Sequence, residues 1–313
     1  MGFYIFGHEG SGDHGNEDHL RGICSLLPHR PEIYSTCPGE DWQYGIGGLG
    51  GLYQTDSHIC DPVRGDWAFQ LKQPEGKSFF PRGVQQIYWG DTQNGSLRGL
   101  SRYRAVVVTE GRSRRRLTEA GLTNVVTAPE PAFLVRRQIR ALEGAFRNDT
   151  VALCLTQPPA AGGLLYRSYR HLIRYILMET DLHIALIPYC VKKGQNDLLL
   201  FQALTAPYRD TGRIHHRRDG DSQQLRGDLS LCCCCVGGAG AVAAWGCGVP
   251  GLCLCATDRT MGLSQELLGS WQEGVCPWEQ LSREDQLTCC FQRFLTQTDR
   301  HRSKLEAARQ ALC

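Results

Sequence analysis

The stretch Phe3-Tyr4-Ile5-Phe6-Gly7-His8-Glu9-Gly10-Ser11-Gly12-Asp13-His14-Gly15-Asn16-Glu17 decides the fold. An apolar run ends in a loop with three glycines, Gly10, Gly12 and Gly15. Leu20, Ile23, Cys24, Leu26 and Leu27 then recur at helical spacing. The order is strand, glycine loop, helix. Glycines let the main chain turn sharply and let a ligand approach it closely. The helix start behind the loop offers unpaired N–H groups and the positive end of a dipole, which suit an anion. The loop is neither G-x-G-x-x-G nor a Walker A loop, which carries Gly-Lys-Ser/Thr. Two readings stay open on this pattern: an anion-binding loop, or a tight β–α turn without a ligand.

Outward from this stretch the β–α alternation repeats. Residues 31–36, 84–90, 105–108 and 125–127 read as strands. A helix closes at Leu117 and Gly121, with glycine at its C-terminal cap. Residues 37–66 are glycine-rich with little periodicity. A second half starts near residue 150. Its expected strands are 151–155, 184–188, 213–218, 231–237 and 251–255. Its expected helices are 164–179, 195–205, 223–229, 239–246, 281–297 and 299–312. Repeated β–α units imply parallel sheets covered by helices, with ligands beyond the carboxyl ends of strands. The expected fold class is α/β, with two Rossmann-like domains facing a cleft, spanning 1–147 and 148–313.

Bulk properties agree with that picture. At 313 residues two domains are the prior, and 42% hydrophobic with 21% charged residues is an ordinary globular composition. A net charge of +2 gives no global field to recruit nucleic acid or a membrane surface. No stretch reaches about 18 uncharged apolar residues, and no signal peptide opens the chain, so a cytoplasmic location is expected. Sixteen cysteines without a secretory signal argue against a disulfide scaffold. Adjacent Cys232 to Cys235 cannot converge on one metal if they form a strand, and buried free cysteine acts as a small hydrophobe. No metal is expected.

The order of motifs along most of the chain resembles the polysaccharide pyruvyl transferase family. His8-Glu9-Gly10-Ser11-Gly12-Asp13-His14-Gly15-Asn16-Glu17 looks like that family's entry, H-D-G-S-G-N-H-G-x-E. Tyr88-Trp89-Gly90 resembles its W-G strand end, and Val106 to Gly121 running into Ala128-Pro129-Glu130-Pro131-Ala132-Phe133 resembles its R-E-S to P-D-P-A-F segment. Ile187-Pro188-Tyr189 with Asn196-Asp197 resembles I-P-H with N-D. Gln224-Leu225-Arg226-Gly227, Val236-Gly237, Gly248-Val249-Pro250 and Thr257-Asp258-Arg259 continue the series.

The resemblance implies a GT-B-like fold and transfer of a pyruvyl group from phosphoenolpyruvate to a sugar of a surface polysaccharide, as a ketal. It implies no cofactor beyond that donor, and a sugar or polysaccharide acceptor as partner. A donor with a phosphate and a carboxylate wants arginines and helix starts; ketal formation wants an acid and a base. On this reading His14 and Glu17 are the acid–base candidates. Gly10, Ser11, Gly12, Asp13, Gly15 and Asn16 would bind an anion or the acceptor. Glu110, Arg112, Gly237, Gly238 and Arg259 are the further substrate-binding candidates.

The sequence departs from the family where its chemistry sits. The family's R-x-H is absent after Val236-Gly237, where the chain reads Gly238-Ala239-Gly240-Ala241-Val242. Thr109 stands at the arginine of R-E-S and Tyr189 at the histidine of I-P-H. Two alternatives follow: a non-catalytic relative that binds a sugar or nucleotide sugar, and another glycan-modifying transferase on a GT-B-like fold. The runs Arg112, Arg114-Arg115-Arg116 and His215-His216-Arg217-Arg218 fit solvated faces, with a contact to an anionic sugar or phosphate as the alternative for the first. Neither has the interleaved aromatics of a nucleic-acid module.

Overall fold

The computed structural model describes residues 4–7, 13–26, 32–35, 51–54, 85–89, 101, 105–135, 149–156, 163–192, 195–217 and 220–312. The chain forms two compact units, Met1–Leu134 and Val135–Cys313. Residues 136–148, which separate this division from the expected one at 147/148, lie outside the described residues.

The first unit carries a six-stranded parallel sheet. Its strands are β1 (Tyr4–Gly7), β2 (Glu32–Ser35), β3 (Gly51–Gln54), β4 (Gln85–Trp89), β5 (Ala105–Val108) and β6 (Val125–Thr127), in the order β2-β1-β3-β4-β5-β6. The register pairs Ile5 with Ile33 and with Tyr53 on the two sides of β1. The described helices are α1 (His14–Leu26), α2 (Gly111–Glu119) and the single turn α3 (Pro131–Leu134). Strand β3 was not expected. Gly51-Leu-Tyr-Gln is four residues at the end of a glycine-rich stretch and shows no period of its own.

β5 is buried because Ala-Val-Val-Val presents apolar groups on both faces, as an interior parallel strand must. Val106 and Val108 pack with Leu117 of α2 and Leu122. Gly121 stops α2 at φ 94°, a left-handed conformation that suits glycine. α1 and α3 meet at a glycine: a Cβ on Gly22 would lie 1.9 Å from the Pro131 carbonyl oxygen.

The second unit holds a five-stranded parallel sheet of β7 (Thr150–Cys154), β8 (His183–Leu186), β11 (Ile214–His216), β12 (Cys234–Gly237) and β13 (Gly251–Cys253). The order is β11-β8-β7-β12-β13. A short antiparallel pair, β9 (Val191–Lys192) and β10 (Gln195–Asn196), lies outside it. The helices are α4 (Gly163–Glu179), α5 (Asp197–Thr205), α6 (Ser222–Leu229), α7 (Ala239–Gly246), α8 (Asp258–Leu268), α9 (Trp271–Gly274), α10 (Gln286–Leu295) and α11 (Thr298–Leu312).

Side chains sort by face along these strands. Val151, Leu153, Val236 and Leu252 share one apolar cluster with Leu172, Ile173 and Ile176 of α4 and Phe291 of α10. Each such buried aliphatic side chain contributes about 1.5–3 kcal/mol of transfer free energy. Neighbouring positions carry small groups. Cys154 and Cys235 place their sulfurs 3.8 Å apart, and α7 lies against them with Gly240, whose Cβ would sit 2.4 Å from that of Cys154. None of the thirteen described cysteines is in a disulfide. Their density here follows from a helix packed too close for larger side chains. α11 is tied down by three cationic side chains that donate to main-chain carbonyls: Arg302 to Cys233 at 2.7 Å, Arg309 to Cys247 at 3.2 Å, and Lys304 to Leu268. No helix among the described residues is long and apolar enough to cross a membrane.

Candidate functional site

In each sheet all strands run parallel, so their carboxyl ends share one edge, and ligands favour the point where strand order reverses. In the first unit that point is β1, with β2 on one side and β3 on the other. The glycine loop leaves β1 there. Gly10, Ser11 and Gly12 lie outside the described residues, as does the side chain of Asn16. Asp13 caps α1: its carboxylate accepts from the Gly15 N–H at 3.1 Å, and its carbonyl from the Glu17 N–H at 3.2 Å. His14 is buried at the first position of the helix, and Glu17 is half-buried one turn on.

Further buried titratable groups belong to the same edge. Glu110 follows β5 and is fully buried; its carboxylate accepts from the Ser113 N–H at 2.8 Å and so caps α2. Glu130 follows β6 and accepts from the Ala132 N–H at 3.3 Å. Its carboxylate also lies 3.6 Å from Nδ1 of His19, with both side chains buried. Asp18 is buried beside them in sequence. Arg112 is exposed on the first turn of α2.

The second unit reverses between β7 and β12. Here the sequence supplies main chain and little else. β12 ends in Gly237, and Gly238, which has no side chain to cap with, stands at the cap of α7, where the Ala241 N–H donates to the Gly238 carbonyl at 3.1 Å. Gly237 allows contact with β7, since a Cβ would fall 2.4 Å from the Cys154 carbonyl oxygen. Gly238 faces open space, with no atom within 4 Å of a Cβ built there. The first turn continues Ala239-Gly240-Ala241, so where the family's arginine and histidine would fall there is no cation and no acid.

The rim of this edge is fixed by buried polar groups. Asp197 is fully buried and its carboxylate accepts from the N–H groups of Tyr189 at 3.0 Å and Cys190 at 2.7 Å, holding the loop after β8. Asn196 caps α5 through the Leu198 N–H at 2.9 Å. The Tyr169 hydroxyl donates to the Thr156 carbonyl at 3.4 Å, at the end of the β7 strand run; burial, then the Asp197 charge, push its phenol upward. Past β13, Thr257 and Thr260 cap α8 reciprocally, which leaves that helix start occupied by its own side chains. Arg259 lies half-buried on the first turn of α8. Cys253 donates its thiol to the Gly238 carbonyl at 3.7 Å. Burial pushes that thiol up to about 12, opposed by a backbone hydrogen bond at Cys255 and, least, by the Arg259 charge.

The structure thus brings Gly237, Gly238 and Arg259 to one edge, and Asp13, His14, Gly15, Glu17 and Glu110 to another. Sequence reading did not single out Asp18 or Tyr169, and it placed Glu130 only within the resembling Ala128–Phe133 segment. A-P-E-P-A and N-D were noticed as family echoes, but capping by Glu130 and loop-holding by Asp197 depend on contacts that spacing does not reveal.

No family model matches the chain, and no curated protein matches it. Solved structures do. The UDP complex of MnaA from Staphylococcus aureus superposes with a TM-score of 0.63 at 10% identity, covering 97% of this chain and 90% of that one. UDP-GlcNAc 2-epimerase from Neisseria meningitidis, bound to UDP-GlcNAc, gives 0.54 at 9% identity over 97% and 93%. HepE from Anabaena, in complex with UDP and glucose, gives 0.51 at 14% over 99% and 95%. At such identities the likeness concerns the fold, and it settles that point: two successive Rossmann-like units make this a GT-B chain.

Proposed function

We propose that this chain binds a UDP-sugar and acts as a glycan-modifying enzyme on its GT-B fold. The observation that carries this reading is the edge at β7 and β12: an open Gly238 before a helix start that no side chain caps. The first-turn N–H groups and the positive helix end suit a diphosphate, and a residue without a side chain lets the phosphate approach the main chain. Arg259 stands on the first turn of α8, the helix that follows β13 at the same sheet edge. The three solved proteins above, each described with UDP or a UDP-sugar, support the choice of ligand. On the first unit, His14 and Glu17 are the groups suited to handle a proton on an acceptor hydroxyl.

Pyruvyl transfer from phosphoenolpyruvate is the second reading, carried by the motif resemblance. It asks for a cation and an acid on the first turn of α7, and that turn is Ala239-Gly240-Ala241. Nucleotide-sugar binding asks for neither.

Calorimetric titration with UDP tests the proposal. Binding is expected, and Gly238→Asp is expected to weaken it at least about tenfold by placing a charge where the phosphate would sit. A Cβ at this position meets open space, so the far-UV spectrum should not change. Incubation with UDP-sugars and a glycan panel then reads UDP release. Absence of UDP binding together with phosphate release from phosphoenolpyruvate would overturn the proposal in favour of the second reading.

A further inference from the structure

A cavity of about 240 Å³ lies in the second unit beside β13, the outer strand of its sheet. Three pieces of chain line it: β13, residues 270–275 and residues 290–297. Gly237, Gly238 and Arg259 are not among its lining residues. Leu252, Val275 and Phe294, all almost fully buried, give it an apolar surface. Liquid water takes about 30 Å³ per molecule, so the space holds about eight waters, or an organic molecule with a similar number of non-hydrogen atoms.

Charge in the lining is uneven. Among the described residues Glu273 is the one carboxylate there, and α11 already supplies it with cations: Arg300 at 3.4 Å and Lys304 at 3.4 Å. His301 reaches the same carboxylate at 3.3 Å; burial holds that imidazole below its usual range, so at pH 7 it is a neutral partner. Arg293 is the cation of the lining. Its Nη2 donates to the Cys290 sulfur at 3.9 Å, a weak contact between two lining residues, and no carboxylate among the described residues pairs with it. One carboxylate is thus set against Arg293, Arg300 and Lys304, and positive charge is left over. Glu273, being neutralised by its own partners, opposes an incoming anion only weakly.

We propose that this cavity binds a small organic carboxylate, with its charge on Arg293 and its hydrocarbon body against Leu252, Val275 and Phe294. A guanidinium is a planar fork that meets a carboxylate with two parallel hydrogen bonds. The side-chain amides of Gln272 and Gln297, both in the lining, add donors beside it. The apolar surface decides between anions: inorganic phosphate would use the charge and leave that surface wet, whereas a short chain or ring removes it from water. The site stands apart from the Gly238 edge and does not rest on nucleotide binding there.

The test uses the full chain, with benzoate as probe and benzamide as its uncharged match. Cys290 lines the cavity and reports its occupancy. In a C289S background, which leaves Cys290 as the sole thiol of its tryptic peptide, alkylation of Cys290 by iodoacetamide is followed over time by mass spectrometry. A ligand of about nine non-hydrogen atoms at ordinary efficiency binds with a Kd on the order of 10 mM or tighter. Benzoate at about 30 mM, with ionic strength matched by sodium chloride, should therefore slow alkylation at least about threefold. Benzamide, inorganic phosphate and UDP at the same concentration should not. In R293Q the ratio of rates with and without benzoate should return to one. No protection by benzoate, or equal protection by benzamide, phosphate or UDP, would overturn the proposal, as would protection that persists in R293Q. The comparison of probes keeps Arg293, so misfolding of that variant leaves it decisive.

Discussion

The two sheet edges of this chain are built from opposite materials. The first unit places buried, titratable side chains at its edge: His14, Asp18, His19, Glu110 and Glu130. The second places glycine, alanine and cysteine at the corresponding reversal, and leaves the binding surface to the main chain. A charged side chain can move a proton, but burying it costs free energy unless partners hold it. A main-chain edge moves no proton, yet offers fixed N–H donors and tolerates a close ligand. On the proposed reading, the second unit would anchor an anion and the first would handle the proton.

That contrast can be broken by substitution. The largest effect is expected at Gly240, where a valine would drive methyl groups into Cys154; about 3 kcal/mol of stability should be lost, read by urea denaturation. An unchanged midpoint would mean that α7 does not depend on its glycine contact. Next comes a carboxylate of the second unit that lies off the edge. Asp228 is buried at the end of α6, and burial pushes it up to about 6 from 3.8, with Arg217 opposing. The charged form is the disfavoured one. Stability is therefore full below about pH 4 and is lost as pH rises through about 6. Asp228→Asn should flatten that slope and leave UDP affinity unchanged; a slope that persists in the variant places its source elsewhere.

Glu110→Ala removes a buried helix cap from the first edge and should cost about 1–2 kcal/mol. Glu110→Gln keeps an oxygen for the Ser113 N–H and should recover much of it, whereas a proton-transfer role would not tolerate the amide. The smallest shift in free energy belongs to Gly238→Asp, a tenfold loss of UDP affinity or about 1.4 kcal/mol, with no shift in the thermal midpoint. A loss of stability instead would show that this glycine serves packing.

Legibility in the sequence followed physical scale. Strands such as Ala105–Val108 and helices such as Gly163–Glu179 carry their own periodicity, and both appear where expected. β3 does not, because four residues among glycines have no pattern to read. α8 was approached through the motif Thr257-Asp258-Arg259, and its capping by Thr260 emerges only from the contacts. Gly237 belongs to the resembling Val236-Gly237, and Gly238 opens the stretch that departs from the family. Their use differs, one allowing strand contact and the other leaving space, and that distinction depends on what a Cβ would meet. Glu110 and Asp197 could not be separated from substrate-facing carboxylates in sequence, since capping and catalysis draw on the same residue types.

The three cationic tethers of α11 have a consequence in time. Arg302, Lys304 and Arg309 reach back to carbonyls at Cys233, Leu268 and Cys247, segments made some 30 to 70 residues earlier. Chains emerge from the ribosome amino end first, at about 5–20 residues per second, and domains fold as units. The first unit can therefore close while the second is still being made. The second must wait several seconds for its clasp, with α7 held meanwhile by its glycine contacts and by the Trp245 indole N–H on the Gly251 carbonyl.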